Sequence, residues 1–201
     1  FNIIKYPLIV KLSSFLMRLF LKLKLPVTPI IKSLLFDQFC VGLNEKESMM
    51  TVKKLSKFNL KSILHYHVEG YESEKSFDDC LANTIKTIKS ASKTNNVPFT
   101  VFKPTGLGSL KLFHKIAQGS ILNENEKSHL ERIDKRFDSC FQTCKKYCVK
   151  ILIDSEESWI QPGVDFLVEK YMIKYNKEEA LIYNTAQMYL KNKIKYLDHL
   201  L

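Results

Sequence analysis

From Ser62 onward the chain states one pattern four times: a short apolar run rich in branched or aromatic side chains, a polar or glycine-bearing end, then a stretch with helical periodicity. The runs are SILHYHVEG (62–70), PFTVFKPTG (98–106), VKILIDSE (149–156) and ALIYNTAQ (180–187). Segments between them, such as SFDDCLANTIKTIKSAS and WIQPGVDFLVEKYMIKY, are long enough for crossover helices. A strand that returns to lie parallel to its predecessor needs such a crossover, so the pattern predicts parallel strands in an α/β sheet or barrel.

The 201 residues, 45% of them hydrophobic, suffice for one domain with a sizeable core, which excludes a disordered tail or a minimal scaffold. A net charge of +10 would suggest an anionic partner, but its distribution changes that reading. Through Lys61 there are 11 basic and 3 acidic residues, net +8, whereas the remaining 140 residues carry 20 and 18, net +2. The excess belongs to residues 1–61, a basic and helical N-terminal segment, and argues against a nucleic-acid surface spread over the fold.

Within that segment residues 8–25, LIVKLSSFLMRLFLKLKL, are strongly apolar, yet Lys11, Arg18, Lys22 and Lys24 interrupt every window of the roughly 20 residues that a spanning helix needs. Lys11, Ser14, Arg18 and Lys22 lie at offsets of 3, 4 and 4 and form one polar stripe on a helix whose other faces carry Leu, Ile, Phe and Met. Two readings fit: a helix packed on its own domain, or a basic amphipathic helix lying on an anionic membrane as a peripheral contact. Pro26 and Pro29 break the pattern, and KESMMTVKKLSKFN from Lys46 reads as a further helix leading into the first strand.

Five cysteines, an odd number at irregular spacings, do not make a secreted disulfide framework and point to a reducing compartment. Cys140, Cys144 and Cys148 recur every four residues, which stacks them along one helical face as buried thiols; a closed zinc site would need a fourth ligand, and no metal is expected.

Each of the four runs ends on polar or chargeable residues: His67 and Glu69, Lys103 and Thr105, Asp154 and Glu156, Asn184 and Gln187. The carboxyl ends of parallel strands are where α/β folds bind ligands, because loops there vary without disturbing the core. A lysine, an acid and an amide on consecutive strands suit a small zwitterion or the edge of an anionic cofactor. Lys103 would serve as a point charge for a carboxylate, Asp154 as the partner of a cation, and Gln187 as both donor and acceptor. The same residues also read as loop anchors, and Asp154-Ser155 followed by Glu156 and Glu157 reads as a helix start. PTGLGS is either an ordinary tight turn or a phosphate loop. His65 and His67 fall on one side of their strand, together in the site or at a solvated strand end. Phosphate-loop, dinucleotide, zinc-protease and serine-hydrolase motifs are missing.

At these residues the sequence resembles the proline dehydrogenases. VFKPTGLG (101–108), ILIDSEESWIQP (151–162) and YNTAQMYLK (183–191) look like three successive strand-end motifs of that family, in order and at compatible spacing. HYHVEG (65–70) looks like its first-strand motif, with His65 and His67 where the family has an acid and a serine, and DQFCVG (37–42) is similar to the segment before it, with Val41 in place of a glycine.

The resemblance implies the first four β/α units of a (β/α)8 TIM barrel over residues 62–201. It also implies an FAD-dependent oxidation of L-proline to Δ1-pyrroline-5-carboxylate, with electrons passed to a membrane quinone. Carried over by motif, Lys103 would hold the substrate carboxylate, Asp154 would belong to the charge network that orders the substrate-binding groups, and Gln187 would hydrogen-bond the isoalloxazine edge. The family's later strands and last helix supply arginines and a tyrosine that do not occur before Leu201, so the chain is expected to be a fragment, not active alone. The expected location is the cytoplasm or the periphery of the inner membrane, mitochondrial in a eukaryote. The alternative is a non-catalytic half-barrel whose basic N-terminal helix binds a membrane or a partner.

Overall fold

The structure is a computed structural model that describes residues 5–23, 26, 42, 44–66 and 72–200. The chain divides into two compact units, Phe1–Thr51 and Val52–Leu201. DQFCVG, apart from Gly42, and the end of the first-strand motif from His67 to Gly70 lie outside the described residues.

The first unit holds helix α1 (Pro7–Lys22), which begins on a proline at its first position, where the missing N–H has no intrahelical partner to lose. Helix α2 (Glu45–Ser56) continues into the second unit. It starts at Asn44, whose side-chain oxygen accepts the Glu47 N–H at 3.1 Å while its amide donates to Glu47 Oε1 at 3.1 Å. The first bond satisfies one open backbone donor of the helix start, and the second ties the two side chains together.

The second unit runs β1 (Ile63–His65), α3 (Glu74–Ala91), β2 (Phe99–Phe102), a 3₁₀ turn (Pro104–Gly106), α4 (Leu110–Ala117), α5 (Glu124–Tyr147), β3 (Lys150–Ile153), α6 (Gln161–Tyr175), β4 (Ile182–Tyr183) and α7 (Lys193–Leu200). All four strands are parallel and lie in chain order, β1-β2-β3-β4. The expected α/β class with parallel strands is thus observed, and these strands show none of the reversal of order that marks a doubly wound sheet.

The register explains the two faces of this sheet. Leu64, Thr100, Ile151 and Ile182 align across the four strands and are all buried, whereas His65, Val101, Leu152 and Tyr183 align on the opposite face and are mostly half-buried. The first face meets the helices. There Phe102 packs edge-to-face on Phe137 with ring centroids 5.1 Å apart, and Phe77, Ile88, Phe113, Ile133 and Phe141 complete a core of fully buried side chains. On the other face the rings of Phe99 and Tyr183 meet edge-to-face at 5.4 Å across the intervening strand β3.

Close helix packing depends on glycine at two places. A Cβ on Gly163 would lie 2.3 Å from the Phe113 carbonyl oxygen, so α6 and α4 could not approach as they do, and one on Gly108 would lie 2.4 Å from Ile133 Cδ1. The three-cysteine face expected of α5 is corrected at its end. Cys140 and Cys144 are buried, but the helix closes at Tyr147 and Cys148 caps it in the left-handed conformation (φ 53°, ψ 42°), exposed. Leaving the helix turns its side chain off the buried face.

Candidate active site

Because the strands are parallel, the residues just after β2, β3 and β4 gather at one end of the sheet. Lys103 comes directly after β2, is only 7% exposed, and places Nζ 2.8 Å from Oε1 of Glu156, a residue 58% exposed. The lysine is anchored from below by its own chain turning away: the Gly106 N–H donates to the Lys103 carbonyl at 3.0 Å and the Leu107 N–H to the Pro104 carbonyl at 3.0 Å. Those amides are used within the turn, so PTGLGS is the tight turn of the two readings; Gly108 serves packing on α5.

Gln187 lies beyond the end of β4 and is buried. Its Nε2 donates to the Ser155 carbonyl at 3.2 Å and to the Glu156 carbonyl at 2.6 Å, while its Oε1 is buried and accepts no hydrogen bond. Lys103 and Gln187 therefore converge on one residue, Glu156, the first through its carboxylate and the second through its backbone. Asp154 extends the ladder of β3 by donating its N–H to the Phe102 carbonyl at 3.0 Å, and its half-buried carboxylate joins no ion pair among the described residues. Thr185 ties β4 to β3 with its hydroxyl, which donates to the Ile153 carbonyl at 2.6 Å. His65 ends β1 half-buried, and His67 lies outside the described residues.

Beside this group stands a second network that the sequence did not announce. Asp165 of α6 is buried, and its Oδ1 accepts from Gln161 Nε2 and from Asn184 Nδ2, each at 2.7 Å, while its Oδ2 lies 3.3 Å from Lys193 Nζ. Lys193 sits over the Tyr196 ring at 4.0 Å from its centroid, and the Tyr196 hydroxyl accepts from Asn184 at 3.1 Å. Burial, together with the Asp165 charge, pushes the Tyr196 phenol well above its ordinary value, so it stays protonated at any physiological pH. Gln161, Asp165, Lys193 and Tyr196 line an open cavity of about 580 Å³ together with Phe166, Glu169 and His199. Gln161 and Asn184 fall inside the quoted strand-end strings, but nothing in the sequence marks Lys193 or Tyr196, whose roles arise only when α7 folds back on α6.

Among the described residues no cluster of His, Cys, Asp and Glu could hold a metal ion, and no helix is long and apolar enough to cross a membrane.

Parallel strands in chain order, with a buried lysine, an acid and an amide after their carboxyl ends, define an α/β chain with polar residues where barrel and open-sheet folds place their ligand sites. The family model described as proline dehydrogenase matches residues 48–201, and the chain belongs to the proline dehydrogenase family. It is 31% identical to proline dehydrogenase 1, mitochondrial, of Dictyostelium discoideum over 92% of this chain and 39% of that protein. It is 34% identical to carbapenem antibiotics biosynthesis protein CarD of Pectobacterium carotovorum subsp. carotovorum over 76% of this chain and 41% of that protein. With proline dehydrogenase 2, mitochondrial, of Arabidopsis thaliana it shares 25% identity over 83% of this chain and 43% of that protein. The chain spans about two fifths of the length of these curated relatives.

Proposed function

We propose that the chain forms the first half of a (β/α)8 barrel that oxidises L-proline to Δ1-pyrroline-5-carboxylate, acting as part of a longer protein in the cytoplasm or at the periphery of the inner membrane, mitochondrial in a eukaryote. The observation that carries this reading is the Lys103–Glu156 pair, in which a buried ammonium meets a carboxylate that is itself open to solvent. A cation fixed at a rigid strand end and shielded from water is what a small amino acid's carboxylate needs, and Glu156 marks where that carboxylate would bind.

The donor set also suits a flavin. Gln187 has its two amide hydrogens engaged and a buried acceptor oxygen with no donor, which matches the ring N–H at the polar edge of an isoalloxazine. FAD, when bound, would supply the two-electron acceptor for the hydride from the proline ring carbon next to nitrogen, and a membrane quinone would reoxidise it. The chain's own contributions are positional. Lys103 holds the carboxylate and so aims the ring. Asp154, with no cationic partner among the described residues, supplies negative charge to order the groups around the substrate. Gln187 fixes the loop after β3 against the end of β4. The alternative of a non-catalytic half-barrel gains nothing from a buried lysine kept at the strand end.

The test is proline oxidation by the full-length protein with a dye acceptor. Lys103→Ala should raise KM for proline about 30-fold or more, since truncating one partner of a buried charge pair costs roughly 2 to 4 kcal/mol. Unchanged proline kinetics would remove Lys103 from the site.

A further inference from the structure

Gln161 opens α6 and is only 1% exposed. Its Nε2 donates to Asp165 Oδ1, one turn on, at 2.7 Å and to the Thr185 carbonyl, in the loop after β4, at 3.2 Å. Turning the amide over would set its oxygen against a carboxylate and a carbonyl, so the two acceptors dictate its orientation. Oε1 is left buried with no donor among the described residues. An apolar side chain of similar shape would fill the space without that cost, so packing alone does not account for an amide here.

The Thr185 carbonyl that Gln161 holds belongs to a residue fixed from other sides as well. The Thr185 N–H donates to Asn184 Oδ1 at 2.9 Å, and its hydroxyl donates to the Ile153 carbonyl at 2.6 Å. Asn184 is tied in turn to Asp165 Oδ1 through Nδ2 at 2.7 Å, so one buried carboxylate anchors both Gln161 and Asn184. Only Ala186 separates Thr185 from Gln187, whose amide bonds the Ser155 and Glu156 carbonyls. Helix α6 is a firm base for this hold, because Gly163 lets it seat directly on the Phe113 carbonyl of α4.

We propose that Gln161 is a positioning residue for Gln187: by holding the Thr185 carbonyl it fixes where the Gln187 amide stands. The proposal rests on the reading of Gln187 as the residue that hydrogen-bonds the flavin edge, and it assigns the placing of that amide to a helix behind the sheet. Lys103 stands at the end of β2 and meets the carboxylate of Glu156, so the hold on a substrate carboxylate should survive when Gln161 is changed.

The experiment compares the full-length protein, loaded with FAD, with its Gln161→Met, Gln187→Ala and doubly substituted variants. Methionine fills a similar space and removes the donor. Measured are the reduction midpoint of the flavin, the flavin content and the kinetics of proline oxidation with a dye acceptor. Gln161→Met should move the midpoint in the same direction as Gln187→Ala and lower kcat about 10-fold, the scale of one hydrogen bond, with KM for proline nearly unchanged. In the double variant the effect of Gln161→Met should vanish, because a residue acting through Gln187 has nothing left to place. Additive effects, or a midpoint that Gln187→Ala moves and Gln161→Met does not, overturn the proposal and leave Gln187 beside the flavin. A midpoint and flavin content that Gln187→Ala leaves unchanged remove the reading of Gln187 itself, and this proposal with it. If Gln161→Met does not fold, Asn184→Ala, which releases the N–H of the same Thr185, takes its place under the same criteria.

Discussion

At Lys103 and Glu156 a single ion pair carries two opposed demands. A lysine 7% exposed must have an anion nearby, yet a lysine that receives a substrate carboxylate must be able to exchange that anion. Under the proposed function Glu156, more than half exposed, would be the partner that exchanges. Exposed pairs contribute only about 0 to 1 kcal/mol, so Glu156→Gln should lower KM for proline about 2- to 5-fold by removing the competitor, with kcat little changed. A KM that rises instead would show that Glu156 holds Lys103 in place. The positions of Lys103 and Gln187 beyond strands were legible in the sequence because each ends a run of strand-forming residues. The choice of Glu156 over Asp154 as partner of Lys103 was not: alternation puts both on one side of a strand, but β3 stops at Ile153 and the period of two no longer governs the loop beyond it.

Helices α3, α5 and α6 are joined at their flanks by carboxylates. Glu74 in the first turn of α3 pairs with the buried Arg136 and with Arg132 at 3.1 Å, both on α5, and Asp78 accepts from Arg136 at 2.8 Å. Asp138 of α5 pairs with Lys174 of α6 at 3.0 Å and accepts from the Tyr175 hydroxyl at 2.8 Å. Burial works to raise both carboxyls, but the guanidiniums around Glu74 and the Lys174 and Tyr175 donors at Asp138 outweigh it and hold each below its ordinary value. A carboxyl lowered in the folded state stabilises the fold above its unfolded pKa, here 4.5 and 3.8, and loses that contribution as pH falls through the lowered value. Thermal stability should therefore drop between about pH 5 and pH 2, and Glu74→Gln should lower it at neutral pH and flatten the acid branch. An acid branch identical in Glu74→Gln and the parent would place the acid-sensitive groups elsewhere. The existence and kind of these elements were legible from periodicity, but their lengths were not. The second, third and fourth runs, of eight or nine residues, became strands of two to four, since their polar tails belong to loops that tertiary contacts shape.

Over the whole molecule, the sheet of the described residues has β1 and β4 as its outer strands and a face opposite the helices that is mostly half-buried. Such edges and faces seek partners. Residues 1–201 expressed alone should self-associate and turn over no proline, as checked by sedimentation and a dye-reduction assay; a monomer with a sharp thermal transition would show that these four strands need no others. The uneven charge was legible from residue counts alone, whereas the cavity beside Asp165 depended on α7 meeting α6, a contact that no local pattern encodes.

The chain has one tryptophan, and its position gives the molecule a built-in optical gauge. Trp159 sits in the connection between β3 and α6, two residues before Gln161, half-exposed, with the His114 ring edge-on at 4.9 Å. Indole emission from residues 1–201 therefore originates in the connection that follows β3. Its change as a chromophore binds at the proposed site would be tracked without a label and without turnover.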